Sequence, residues 1–199
     1  MAKRYVDRIL AAEARHCTPG YRFARGFRDI RRALQPYPPL DSDDQEAGYV
    51  YAYEVEGSPG LVKIGYTSRS IDVRHKEWAE DCNRKPTLLY PVKLDKLERV
   101  PNARRIESLC HAELDKYRLR IYCQGCLKQH IEWFAVAAEK AVGAIRKWTS
   151  WMETEPYGRD FKGRMVLSSK WQQALVDEQR FLTQVSTFEG PSTTIAGKT

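Results

Sequence analysis

Residues 48–67 read GYVYAYEVEGSPGLVKIGYT, two stretches of alternating aromatic and aliphatic residues joined by EGSPG. Alternation of this kind sends successive side chains to opposite faces of a pleated strand. Gly57, Pro59 and Gly60 supply the turn, so the segment is expected to form a β-hairpin. On the first strand Tyr49, Tyr51 and Tyr53 share a face, with Val50, Ala52 and Val55 assigned broadly to the other. Tyrosines in such a row more often pack with a wet hydroxyl than catalyse.

Beyond the hairpin the chain is largely helical. Ser70 is placed to cap a helix over 71–80, whose stripe Ile71, His75, Trp78 and Cys82 recurs at helical spacing. A third strand, TLLYPVKL, is expected at 87–94. PNARRIESLCHAELDKY, residues 101–117, carries the most pronounced helical pattern, with Ala103, Ile106, Cys110, Leu114 and Tyr117 on one side. IEWFAV at 131–136 reads as a short buried strand or turn. Residues 137–152 form a further helix with Ala138, Ala141, Val142, Ile145, Trp148 and Met152 inward. The order β-β-α-β-α-(β)-α implies an α+β fold: a small, mainly antiparallel three-stranded sheet flanked by helices.

The ends differ in character. Helix-like stretches lie near Tyr5–Arg15 and Arg25–Leu34, separated by CTPGY. QPYPPLDSDDQEAG then reads as a linker, with three prolines followed by four acids. After Gly158 one helix is expected near Ser169–Leu182, and the Ser/Thr/Gly-rich last dozen residues are expected to be disordered. The chain thus divides into a helical extension and linker at 1–46, a main domain at 47–153, and a partly disordered extension at 154–199. No internal repeat is visible.

Charge and cysteine usage narrow the partners and the compartment. The 33 Lys+Arg against 26 Asp+Glu leave a formal charge of +7, a modest surplus that favours polyanions. No apolar run approaches the ~20 residues a membrane span needs. The N-terminus has no apolar stretch of a secretory signal. An intracellular protein is expected, nuclear in a eukaryote. Five cysteines, an odd number, point to metal ligation or plain burial rather than disulfides.

The polar residues that border the apolar stripes are the candidates for chemistry. Glu107 and His111 stand one helical turn apart, with Arg104 one turn earlier on the same flank. A half-desolvated carboxylate there can hold a divalent cation. Arg74 takes the same border position on its helix and can present paired donors to a phosphate. Spacing alone is equally met by ordinary helix-edge charges, which are the commoner case. Cys123-x2-Cys126-x3-His130 offers three ligands at zinc-binding spacing, with Gly125 easing the turn. A fourth ligand would come from Cys82, Cys110 or His111; the plain alternative is a buried thiol pair.

Taken together, these motifs resemble the GIY-YIG nucleases. GYVY and VKIG are similar to that superfamily's first two strands. R-H-K-E-W around Arg74, R-I-E-S-L-C-H-A-E-L and H-I-E-W-F resemble its phage ORF-172-type branch over about Gly48–Val136. The resemblance implies one-metal hydrolysis of a DNA phosphodiester with Mg²⁺ or Mn²⁺. Tyr51 would act as or beside the general base, Arg74 would neutralise phosphoryl charge, and Glu107 would hold the metal. Arg104 and Tyr49 would contact DNA, and His111 and Glu132 fall on branch-specific positions of the cleft. One departure is Lys63, which stands where better-studied members carry a tyrosine; it can hold a phosphate as a point charge but cannot copy a phenol. The CxxC-x3-H resembles an addition in fungal-type members. Because His111 recurs in relatives without those cysteines, the resemblance assigns it to the cleft and leaves Cys82 as fourth ligand of a structural Zn²⁺ with Cys123, Cys126 and His130. A non-catalytic DNA-binding module, or a zinc-stabilised protein-interaction domain, would share most of these features.

Overall fold

The computed structural model describes residues 28–35, 42–56, 58–91 and 98–188. Strands β1 (Tyr49–Val55) and β2 (Leu61–Thr67) form the expected hairpin, with Tyr51 opposite Gly65 and Tyr53 opposite Lys63. Helix α1 (Ile71–Cys82) comes next, and the Ser70 side chain caps it by accepting the Val73 N–H at 3.2 Å. Asn83 closes the helix at φ 49°, in the left-handed region that asparagine tolerates well. β3 (Pro86–Tyr90) stops earlier than expected, at the residue before Pro91. Proline has no N–H for the ladder.

The fold is α+β, but the sheet is larger than three strands. β4 (Arg118–Tyr122) and β5 (Gln129–Ala135) extend it past β2, giving five antiparallel strands in the order β3-β1-β2-β5-β4. IEWFAV is therefore an interior strand paired on both sides, not a turn. RLRIY carries only a brief period-2 signal and becomes a strand because β5 offers it an edge to pair with. Helix α2 (Ala103–Glu113) ends sooner than its pattern implies. A 3₁₀ turn at Asp115–Tyr117 tightens the chain and delivers it into β4. Helix α3 (Ala138–Glu153) matches expectation.

Both faces of the sheet are covered. On one, Val50, Ala52, Val62, Ile64 and Phe134 pack with Ile106, Leu109 and Cys110 of α2 and Ile145 and Trp148 of α3. On the other, Tyr51, Tyr53, Leu61, Leu119 and Trp133 pack with Ile71, Trp78 and Cys82 of α1. Strict alternation puts Val55 with the tyrosines rather than with Val50 and Ala52. α2 and α3 are joined through Glu113, which accepts from Lys147 Nζ and Trp148 Nε1, both at 2.7 Å. That pairing gives a buried lysine a carboxylate partner between two helices.

The flanking segments belong to the same core. Residues 28–34 are helical, and Ile30 and Leu34 join the larger cluster. Arg105 fixes this segment by donating to the Ala33 carbonyl (3.0 Å) and to Asp44 (2.7 Å). The expected single helix at 169–182 is instead two helices, α4 (Ser169–Ala174) and α5 (Glu178–Ser186), and an unexpected hairpin of β6 (Tyr157–Arg159) and β7 (Met165–Leu167) precedes them. Asp177 starts the second helix by accepting the Arg180 N–H at 3.0 Å. The expected helix near Tyr5–Arg15 and nearly all of the expected disordered tail lie outside the described residues. No described helix is long and apolar enough to cross a membrane.

Ile106 is fully buried between the sheet and α3. Ile106→Ala is expected to lower unfolding free energy by about 2–5 kcal/mol, read from urea denaturation. A change below ~1 kcal/mol would mean that α2 is not the principal cover of this face.

Candidate functional site

Two polar constellations lie along β5, and a single backbone irregularity sets both. Leu119 pairs with Trp133, yet Ile121 pairs with His130, so β5 spends one more residue than β4 over that interval. This is a β-bulge at Ile131–Glu132. It brings Trp133 and His130 to the α1 side together, although they stand three positions apart. Pairing of β5 with β2 stops at Lys63↔Trp133, while β2 runs on to Thr67 beside β1 alone. The bulged Glu132 turns to this parting of the strands and meets Lys63 Nζ at 2.9 Å.

The first constellation joins Cys82 at the end of α1, Cys123 and Cys126 in the β4–β5 loop, and His130 on β5. Their ligand atoms all lie within 4.8 Å of one another. Cys82 Sγ is 3.8 Å from Cys126 Sγ and 3.7 Å from His130 Nε2, and Cys126 Sγ is 3.2 Å from that nitrogen. Sulfurs at ~2.3 Å from a tetrahedral zinc stand about 3.8 Å apart, so the spacing suits such an ion. This Cys₃His cluster could hold a metal such as zinc. Cys110 lies apart from it in the larger core cluster, and His111 serves elsewhere. Gly125 makes the approach possible: a Cβ there would stand 2.7 Å from the Cys82 carbonyl oxygen. Burial pushes the Cys82 thiol up to about 12. Burial also opposes ionisation of Cys123, but the backbone N–H groups of Cys126 and Gly125 outweigh it and hold that thiol below its usual value.

The second constellation lies where β2 and β5 part. Tyr51 is buried with its ring against β2, in space that only glycine leaves open. A Cβ on Gly65 would stand 2.6 Å from the Tyr51 hydroxyl oxygen. Burial pushes the phenol up to about 12, against the Arg74 guanidinium, which hydrogen-bonds the hydroxyl; Glu107 and Glu132 add to the rise. Arg74 is also 3.4 Å from Glu77, which Arg69 holds with two bonds of 2.7 and 2.8 Å. His75 stands edge-on to both Tyr51 and Tyr53, with ring centroids 5.1 and 4.7 Å away.

Glu107 and His111 approach from α2. Burial, reinforced by the negative charge of Glu132, pushes the Glu107 carboxyl up to about 8; Lys63, Arg104 and Arg118 oppose it. Burial pushes His111 down to about 4, so its ring is neutral near pH 7. Its Nε2 is 3.0 Å from the Ile64 carbonyl. A carbonyl only accepts, so Nε2 carries the hydrogen and Nδ1 keeps a lone pair. Burial disfavours the Glu132 carboxylate too, but the Lys63 ammonium outweighs it and holds the group below the usual range.

Tyr51 thus feels the charges of Arg74, Glu107 and Glu132, and Glu132 also acts on Glu107 and His111. Tyr49 and Arg104 are half-buried at its border. Lys63 is only 3% exposed, wedged 6.0 Å from the Tyr53 ring and 5.8 Å from Trp78. It is an internal counter-ion of Glu132, not a surface cation. Sequence reasoning missed Arg118, which donates to Asp115 (2.8 Å), to the Ile131 carbonyl (3.0 Å) and to the His111 carbonyl (2.9 Å). Its position on an edge strand that the pattern barely signals concealed it. His75 was legible only as part of an apolar stripe.

Residues 48–149, just over half of the chain, match the model of the T5orf172 domain family. That span runs from the start of the hairpin almost to the end of α3. No curated protein and no solved structure matches the chain.

Two measurements test this geometry. Cys126→Ser is expected to lose stoichiometric zinc and to lower the melting temperature by several degrees, because a bound structural metal contributes directly to folding. Wild-type protein purified without zinc, with the same melting temperature as the variant, would remove the metal from this cluster. The second concerns pH. A carboxyl raised from 4.5 to about 8 binds a proton in the folded chain that the unfolded chain has released. Stability is therefore lost as pH rises between those values. In magnesium-free buffer Glu107→Gln should become more stable relative to wild type from pH 5 to pH 8, read as the difference in melting temperature; a constant difference would mean an ordinary Glu107.

Proposed function

The chain belongs to the T5orf172 domain family, and from that premise we propose a divalent-metal-dependent DNA endonuclease of GIY-YIG type. The observation that supports the reading is that Tyr51 from β1 is hydrogen-bonded by Arg74 from α1 and feels the charge of Glu107 from α2. Three elements distant in sequence contribute a phenol, a guanidinium and a shielded carboxyl to one place. That combination suits attack on a phosphodiester.

The donor set fits a cation. Glu107 is a hard oxygen donor held protonated by burial and by a second carboxylate, a situation that a divalent ion relieves. Glu107 would hold Mg²⁺ or Mn²⁺, which when bound supplies Lewis-acid stabilisation of charge at the phosphate and leaving oxygen. Arg74 takes charge building on the phosphoryl oxygens. Tyr51 stays protonated at neutral pH, so it orients the attacking water through a neutral hydroxyl rather than as a phenolate. His111 presents its Nδ1 lone pair and is locked in one tautomer by the Ile64 carbonyl. Tyr49 and Arg104 contact the DNA backbone at the border, and the surplus of +7 favours that encounter. Cys82, Cys123, Cys126 and His130 hold a structural Zn²⁺. In the same reading 47–153 is the catalytic domain, and the segments at 1–46 and 154–199 brace it through Ile30, Leu34, Trp171 and Phe181.

One observation favours a second reading, a DNA-binding module without turnover. Lys63 stands where better-studied nucleases carry a tyrosine and is spent on Glu132, so it offers no hydroxyl to the reaction. Plasmid cleavage with Mg²⁺ or Mn²⁺ separates the two. Wild type is expected to cut, and Glu107→Gln to lose on the order of 100-fold or more in rate with nearly unchanged DNA affinity. Salt-sensitive gel shifts by both proteins, with cutting by neither, would establish the binding module instead.

A further inference from the structure

The two constellations are joined by the shortest route a strand allows. His130 belongs to the Cys₃His cluster and Glu132 faces Lys63, with Ile131 alone between them. Both orientations depend on the bulge at Ile131–Glu132. In an unbulged strand Trp133 and His130 would face opposite sides, and Glu132 would lose its direction toward Lys63. Trp133 is fixed by packing against Tyr53 and Trp78, with ring centroids 5.9 Å from each. At the other end β5 pairs with β4 and carries His130 into the cysteine cluster. The Arg118 bond to the Ile131 carbonyl (3.0 Å) spans the bulge.

We propose that Glu132 is a positioning residue of the cleft, and that metal binding by Cys82, Cys123, Cys126 and His130 holds the bulge that aims it. The inference rests on the reading of Glu107 as the cleft's cation ligand. Lys63 is a buried cation close enough to act on Glu107, where it favours the charged carboxylate. Glu132, at 2.9 Å from Lys63, cancels the ammonium charge, so the lysine does not repel a divalent ion arriving at Glu107. A metal-free cluster frees the 123–130 segment, Glu132 leaves Lys63, and the ammonium repels the incoming cation. The cysteine cluster thereby sets the cation affinity of a site to which it contributes no ligand.

Mn²⁺ binding to the full chain, monitored by electron paramagnetic resonance, reads this directly. Wild type with zinc should bind one Mn²⁺ that Glu107→Gln loses. Glu132→Gln and Cys126→Ser should each weaken that binding by about tenfold or more. The double variant should be no weaker than the single ones, because both act on one element. A reciprocal measurement needs no variant: millimolar Mg²⁺ should lower zinc release from wild type to a chelating dye by the same factor. That linkage is absent if Glu132 merely supports the fold, and it covers the case in which Cys126→Ser does not fold. Mn²⁺ bound equally well with and without zinc, together with zinc release indifferent to Mg²⁺, would overturn the coupling while leaving Glu107 as the cation ligand. No Mn²⁺ site in wild type, or one retained by Glu107→Gln, would overturn that ligand assignment and the inference with it.

Discussion

Strand β5 has to satisfy two neighbours that make different demands. Toward β2 it pairs only as far as Lys63↔Trp133, and toward β4 it continues to Tyr122↔Gln129. The extra residue at the bulge reconciles them. On the β2 side it ends the ladder, leaving the Ile64 carbonyl to His111 of α2. On the β4 side it returns His130 to the face where Cys82 arrives from α1. Orphaned ladder groups must find partners when buried. A helix histidine and a basic residue, Arg118, take them. Most of the polar architecture is a consequence of that single register change.

The parting of the strands is also where burial and charge compete. Buried Glu107 and Lys63 lie near the partly exposed Glu132, together with a histidine held neutral and a phenol held protonated. Low effective dielectric makes each charge costly alone and strongly sensitive to its neighbours. Lys63 and Glu132 resolve the competition by pairing, which holds the Glu132 carboxyl below its usual range. Glu107 has no comparable partner and resolves it by keeping its proton. A carboxyl held this way is sensitive to any charge placed beside it.

Much of the frame was legible locally. The hairpin, the Ser70 cap, α3 and the apolar side of α2 each express a period or a cap contained within a few residues. Three ligands of the metal cluster were legible for the same reason, because Cys123, Cys126 and His130 fall within one loop and its strand. RLRIY was not: five residues at a sheet edge, with one fully buried, carry too little alternation to stand out. Without that strand the expected sheet was too small and Arg118 stayed hidden. The division of the tail into a hairpin and two helices was equally obscure, since its helices are short and draw stability from Trp151 and Trp171 rather than from their own periodicity.

Sequence by itself determined the locally periodic elements and the chemical inventory: the hairpin, the helices that follow it, and which residue types are available to bind a cation, a phosphate or zinc. Period and capping act over a few residues, so a linear reading captures them. Tertiary structure alone decided which of those residues meet. It made Cys82 a neighbour of His130 across the sheet, and turned Lys63 from an apparent surface cation into a buried counter-ion. It also raised Glu107 by burying it beside Glu132. Those outcomes depend on strand order, register and desolvation, which arise from contacts between residues far apart in the chain.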